Sequence, residues 1–360
     1  MLLDIEGEIM NDKLSKEYGI VIGNLEHGKN NLITDVKGVK VGNLTFNDKD
    51  IKTGITVILP HEKNIFKEKV MASSFVINGF GKSTGLVQIE ELGNIETPIV
   101  LTNTLSVGAA HEGLVKYMLK DNEDIGDTTG TVNPIICECN DGYLNDIRKL
   151  TIKSDDVLKA IDNSNVIFDQ GAVGAGTGMV CCGLKGGIGS SSRVVKLDDK
   201  EYVLGTLVLS NFGRRKDLMI DGEKIGEKIE SLHNLNKEPL QDGDKGSIIM
   251  IIATDIPLNE RQLKRLCKRA TISLGRVGSH IGNGSGDIVI GFTTANKINH
   301  YEEKDIVNLK FINENKIDIV FRAVIESLEE SILNSMIYAE TTEGRKGNKV
   351  VSLKEYLDKI

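Results

Sequence analysis

A chain of 360 residues and 39.3 kDa is long enough for one large domain or two ordinary ones with a sizeable core. With 40% apolar and 27% charged residues it has a globular rather than a disordered composition. Its net charge of −8 argues against a general nucleic-acid binder, which needs a basic face. The opening MLLDIEGEIMNDK is acidic and lacks the apolar run of a secretory signal. The longest aliphatic stretch, 248–253, falls far short of the ~20 residues that span a bilayer, so no membrane segment is expected. Five cysteines is an odd number and Cys181 and Cys182 are adjacent, which points to a reducing cytoplasm rather than a disulfide framework.

Strand and helix patterns alternate through most of the chain, the mark of a mixed α/β protein. In chain order, GITVILP at 54–60 reads as a strand, a helix over 84–92 ends at Gly93, and a strand follows at 99–103. A striped helix over 106–120 precedes a strand at 134–139, and Ser154 opens a helix with two Asp in its first turn. A hairpin turns around Asp198, Asp199 and Lys200. Further on come a strand at 248–254, a helix over 259–274 stopped by Gly275, a strand at 287–293 and a long helix over 318–338. Between 227 and 246 the chain is polar, with a Pro and Asp-Gly signals, and reads as a mobile loop joined directly to the most aliphatic strand at Ser247.

Glycine is enriched at 38 residues, and eight of them lie between Gly171 and Gly189. A phosphate cradle fails on spacing: GxGxxG starting at Gly174 needs Gly where Met179 stands, and a Walker A ending in Gly81, Lys82 and Ser83 needs Gly where Val76 stands. No C-x-x-C, HExxH or His pair at i, i+4 occurs, so no metal centre is expected.

A serine without a histidine needs another base, and the Gly246-Ser247 junction offers one. If that peptide broke, Ser247 would carry its own α-amine, whose reference pKa of ~8 suits it to accept the hydroxyl proton. Gly-Ser occurs four times, at 189, 246, 278 and 284, but only Ser247 sits where a polar loop enters a buried strand. The alternative for Ser247 is an ordinary loop-to-strand serine.

The segments NLITDVKGVKVGNLT (31–45), GITVILP, 78–108, ECNDGYLNDI (138–147), GAVGAGTGMVCCGLKGGIGSSSR, NFG (211–213), DGDKGSIIMIIATDIPL and GNGSGDI occur in this order. Together they resemble the P1 peptidase family of DmpA-type D-stereospecific aminopeptidases and β-peptidyl aminopeptidases. The resemblance implies a single DmpA-like domain over 1–360, an α/β four-layer αββα sandwich similar to N-terminal-nucleophile hydrolases but differently connected. It also implies self-cleavage between Gly246 and Ser247 into chains 1–246 and 247–360. Ser247 then becomes the nucleophile, Asn211 matches the oxyanion-hole residue, Tyr143 the active-site tyrosine, and Ser285 and Asp287 the pair around the nucleophile. Glu138 is a candidate for the substrate's ammonium, with loop capping as its alternative. Without the family, a satisfied amide, a core tyrosine and a turn-capping Ser/Asp pair would describe the other positions. Leu209 and Ser210 precede Asn211 where many members have Gln-x-Asn, and Asp287 stands where some have Glu; both bear on substrate preference. The implied activity is hydrolysis of N-terminal residues from small peptides, amides or esters through an acyl-enzyme, with no cofactor, in a homo-oligomer of four processed protomers. Two other readings are an acyltransferase of the ornithine-acetyltransferase type, which a Thr nucleophile would favour, and a ligand-binding protein of this fold that is never processed.

Overall fold

The computed structural model describes residues 12–233 and 246–360. Its strands are β1 (Lys40–Asp48), β2 (Ile51–Leu59), β3 (Glu68–Gly79), β4 (Asn94–Ile95), β5 (Ile99–Asn103), β6 (Ile135–Cys139), β7 (Val180–Cys181), β8 (Leu184–Lys185), β9 (Gly187–Leu197), β10 (Lys200–Asn211), β11 (Ser247–Thr254) and β12 (Gly286–Asn299), with a small C-terminal pair. The helices are α1 (Lys13–Tyr18), α2 (Leu86–Leu92), α3 (Val107–Lys120), α4 (Ser154–Asp162), α5 (Ile225–His233), α6 (Glu260–Arg276), α7 (Asp318–Ile337) and α8 (Lys354–Leu357).

Two sheets stack face to face. One has the order β1-β2-β5-β6 and the other β4-β3-β12-β11-β10-β9. Three apolar clusters separate four layers. One joins α3 and α4 to the four-stranded sheet through Val57, Val100, Leu114 and Val157. The second lies between the sheets, where Leu101 and Cys137 meet Leu209, Ile249, Ile251 and Phe292. The third joins the outer face of the six-stranded sheet to α6 and α7 through Val208, Met250, Leu266 and Leu328. The architecture is therefore the expected α/β αββα sandwich.

Burial on both faces explains the composition of β11: all eight residues of SIIMIIAT are buried, as expected of a strand covered on two sides. Side chains alternate across it, so Ser247, Ile249 and Ile251 share the face between the sheets, while Ile248, Met250 and Ile252 face the helices. Among the differences from the sequence reading, three bear on the layers around the site. Residues 227–233, expected in a loop, belong to α5; the rest of that expected loop, 234–245, lies outside the described residues. The α6 helix runs past Gly275 to Arg276, since a lone Gly weakens but does not end a helix held by packing. The strand β3 was not anticipated, because its buried stretch carries Ser73 and Ser74 beside Ala72 and shows no alternation. No helix among the described residues is long and apolar enough to cross a membrane.

Candidate active site

Strand register gathers the predicted residues at one end of the six-stranded sheet. Because β10 and β11 are antiparallel, the last residue of one, Asn211, lies opposite the first of the other, Ser247. The β11–β12 pairing is parallel, so Ser247 also lies beside the first residue of β12, Gly286. Its antiparallel partner β3 ends there too, with Gly79 opposite Gly286. Ser285 and Asp287 flank Gly286 and are bonded to each other, Ser285 Oγ donating to Asp287 Oδ1 at 2.6 Å.

Ser247 is 7% exposed, and its hydroxyl donates to the Gly246 carbonyl at 2.7 Å. The chain is continuous here, so this is the geometry of the uncut peptide. The same carbonyl accepts the Gly286 N–H at 3.2 Å. A hydroxyl beside the carbonyl and a backbone donor on its oxygen are two of the elements that addition to a carbonyl needs. Glycine at 246 has a steric cause: a Cβ there would sit 2.1 Å from the Asn211 carbonyl oxygen and 2.4 Å from Phe212 Cα. The backbone of β10 occupies the space a side chain would need. At Gly286 an added Cβ would come 2.7 Å from the Phe80 carbonyl oxygen and 3.1 Å from Ser247 Oγ, so a side chain would close the approach to the Ser247 hydroxyl.

The Asn211 carboxamide is held from two sides. Its Oδ1 accepts the Val180 N–H at 2.9 Å and its Nδ2 donates to the Asn140 carbonyl at 3.1 Å. One donor and one acceptor fix which way the amide faces, and the second Nδ2 hydrogen is left over from this pair of bonds. Asn140 follows β6, so the four-stranded sheet reaches the site through this bond.

Tyr143 is 41% exposed and is not the core tyrosine that its alternative reading required. It sits in a turn closed by Leu144 and Asn145 N–H groups on the Asp141 carbonyl, and its own carbonyl accepts Asn348 Nδ2 at 2.8 Å. No hydrogen bond links its hydroxyl to Ser247 among the described contacts. Glu138 is buried, and its carboxylate accepts the Lys82 N–H at 2.8 Å and the Thr104 hydroxyl. The loop-holding role left open in the sequence is thus present. Glu138 and Gly286 both lie close to Gly81: a Cβ there would be 3.6 Å from Glu138 Oε1 and 3.9 Å from Gly286 Cα.

Several groups at the site had not been picked out from sequence: the Gly286 and Val180 N–H groups, Asp141 and Lys185. Backbone donors carry no residue signature. Lys185 did leave a signal, as the one charged residue in the run from Gly171 to Ser192. Asp141 is fully buried, and burial pushes its carboxyl up to about 7. For metals, Asp12, His27 and Glu330 place ligand atoms within 4.8 Å of one another, far along the chain from Ser247. Glu330 is already paired with Arg193 at 2.6 Å, and that guanidinium opposes a cation there.

A strand-initial serine preceded by glycine, an amide fixed beside it and stacked sheets between helix layers define a serine hydrolase of the N-terminal-nucleophile type. The sequence model of Peptidase family S58 matches residues 31–350. The chain is 35% identical over 346 residues to the β-peptidyl aminopeptidase BapA of Sphingosinicella microcystinivorans, covering 91% of this chain and 86% of the relative. Among solved structures, the PH0078 protein of Pyrococcus horikoshii superposes with a TM-score of 0.90 at 50% identity, covering 96% of this chain and 97% of the other. The L-aminopeptidase D-Ala-esterase/amidase of Ochrobactrum anthropi, described as a prototype serine aminopeptidase with a variant N-terminal-nucleophile hydrolase fold, superposes with a TM-score of 0.85 at 35% identity, covering 94% and 95%. The chain belongs to Peptidase family S58. It is a serine aminopeptidase, as the order of motifs implied.

Proposed function

We propose that the chain cuts its own Gly246-Ser247 bond and that the freed Ser247 then removes N-terminal residues from small peptides, amides or esters. The observation that carries this reading is the Ser247 hydroxyl 2.7 Å from the Gly246 carbonyl oxygen, at the strand end shared with Asn211 and Gly286. In the first reaction Ser247 Oγ adds to the Gly246 carbonyl, the oxyanion keeps the Gly286 N–H as donor, and the C–N bond breaks as the hydroxyl proton passes to the leaving nitrogen, which gives an ester and the free α-amine of Ser247. Water hydrolyses that ester, releasing Gly246 as a carboxylate and restoring the Ser247 hydroxyl. In the second reaction the α-amine takes the proton of Oγ as the hydroxyl attacks the substrate carbonyl and gives it to the departing amine or alcohol, and water then hydrolyses the acyl-enzyme to free the N-terminal residue and the hydroxyl. The Asn211 Nδ2–H and the Tyr143 hydroxyl serve the oxyanion, neither needing to change charge. Ser285, oriented by Asp287, hydrogen-bonds around the nucleophile, and the Asp287 carboxylate stabilises the ammonium that forms. Glu138 contributes negative charge for the ammonium of the substrate's own N-terminus.

The working form under this reading is a cytoplasmic homo-oligomer of four processed protomers; five buried thiols outside any disulfide fit a reducing compartment. The test is Ser247→Ala. The variant should remain one 39.3 kDa chain and hydrolyse no peptide, amide or ester. Cutting before residue 247 that persists in this variant would assign cleavage to another protease and overturn the mechanism.

A further inference from the structure

The Lys185 side chain is fully buried in β8, and the reaction described above makes no use of it. Its ammonium donates to three carbonyls, those of Gly186 at 2.7 Å, Met179 at 2.8 Å and Gly176 at 3.1 Å. All three ammonium hydrogens are thereby used. The Met179 carbonyl matters most. It belongs to the same peptide unit as the Val180 N–H, the group that holds Asn211 Oδ1 at 2.9 Å. A trans peptide is planar with its C=O and N–H pointing in opposite directions, so fixing one fixes the other. The Met179 oxygen accepts from Gly186 N–H as well, at 3.1 Å, and Val180 is the strand partner of Lys185 in the β7–β8 hairpin. A cation on the carbonyl also polarises the N–H at the far end of the unit, as bonds in a chain strengthen one another.

The opposite side of the amide is built alike. Asn211 Nδ2 donates to the carbonyl of the Asn140–Asp141 peptide, and Asp141 is a buried carboxyl whose Oδ1 accepts Asn145 Nδ2 at 3.0 Å. The loop held by Lys185 packs directly on it, since a Cβ on Gly178 would lie 2.8 Å from Asp141 Cβ. Burial pushes the Lys185 ammonium down to about 7, and Asp141 acts against that shift. A buried base and a buried acid thus stand behind the two peptide units that grip Asn211.

We propose that Lys185 is a positioning residue for catalysis: by tying down the Met179–Val180 peptide it sets the orientation of the Asn211 carboxamide and so aims Nδ2 at the oxyanion. The inference rests on Asn211 serving the oxyanion, as argued above. Lys185 touches no reacting atom, so its removal should act only through Asn211.

The experiment is a double-mutant cycle on fully processed enzyme, with kcat and KM for one chromogenic amide substrate measured for wild type, Lys185→Met, Asn211→Ala and the pair. Lys185→Met should lower kcat about tenfold or more with little change in KM, a part of the roughly 10²- to 10³-fold expected for losing the oxyanion donor. In the Asn211→Ala background the same substitution should change kcat by no more than about twofold. Lys185→Gln, which keeps a neutral donor in the same space, serves as the second variant where Met at 185 folds poorly, and should restore part of the lost kcat without changing KM. Equal losses from the Lys185 substitution in both backgrounds, or processed Lys185 variants that are less stable but turn over at the wild-type rate, overturn the proposal and leave the role of Asn211 standing. An Asn211→Ala enzyme with wild-type kcat instead removes Asn211 from the chemistry, and the inference falls with it.

Discussion

Replacing Glu330 by Gln tests whether the GSSSR segment is held by charge. Arg193 of that segment is fully buried and reaches across to α7, where Nη2 meets Glu330 Oε2 at 2.6 Å. Asn31 Nδ2 donates to the other carboxylate oxygen at 2.6 Å, and His27 Nε2 lies 3.1 Å from Oε2. Burial alone would raise the carboxyl, but Arg193 and the His27 and Asn31 bonds hold it down to about 2 from an ordinary 4.5. A folded value below the unfolded one gives stability that is complete above the unfolded pKa of 4.5 and is lost as pH falls towards 2. At about 1.4 kcal/mol per pH unit the gap corresponds to about 3 kcal/mol. Glu330→Gln keeps the shape and the Asn31 contact. It leaves Arg193 with Glu326, whose carboxylate is 3.5 Å from Nε, so the loss should not exceed that figure by much. Urea unfolding in the unprocessed Ser247→Ala background, at pH 7 and pH 3, reads the effect on one continuous chain. The variant should be less stable by about 3 kcal/mol at pH 7, and the difference should shrink to about half by pH 3 because the parent loses its advantage there. A difference that is absent at pH 7, or equal at both pH values, refutes the assignment of this stability to an ionised Glu330.

Three further outcomes follow from the site. Asn211→Ala, tested as processed protein with unchanged thermal unfolding, should lose roughly 10²- to 10³-fold in kcat while KM changes little; a wild-type kcat would take the residue out of the site. Gly246→Ala should slow self-cleavage in a time course of chain masses, because its Cβ would lie 2.1 Å from the Asn211 carbonyl oxygen and displace the strand start; cleavage at the parental rate contradicts the packing argument. The pH profile of kcat/KM should rise through an apparent pKa in the range of an α-amine, near ~8 before its neighbours act, and a flat profile between about pH 5 and 9 would leave the proposed base without support.

Legibility followed how local each signal was. The strand Ile99–Asn103 and the start of the helix at Ser154 were read to the residue, because both are bounded by turn or capping chemistry within a few positions. The segment Glu68–Gly79 was not, because a strand sandwiched between layers loses the alternation that identifies one. Ser247 could be singled out from a polar-to-aliphatic boundary, but Asn211, Tyr143, Ser285 and Asp287 needed the family motifs, since register alone makes Asn211 and Ser247 neighbours across 36 positions of sequence. The exposure of Tyr143 and the grip of Lys185 on the Met179 carbonyl depend on which turns meet in space, and no spacing rule encodes that.

The central claim is that the chain cuts itself before Ser247, and the mass of the purified protein under denaturing conditions tests it most directly. The account predicts that the 39.3 kDa chain gives way to fragments of about 26.9 and 12.4 kDa, apportioned by residue number, with the smaller beginning SIIMIIATD. An active preparation that stays at 39.3 kDa, or a small fragment with any other N-terminus, would contradict it.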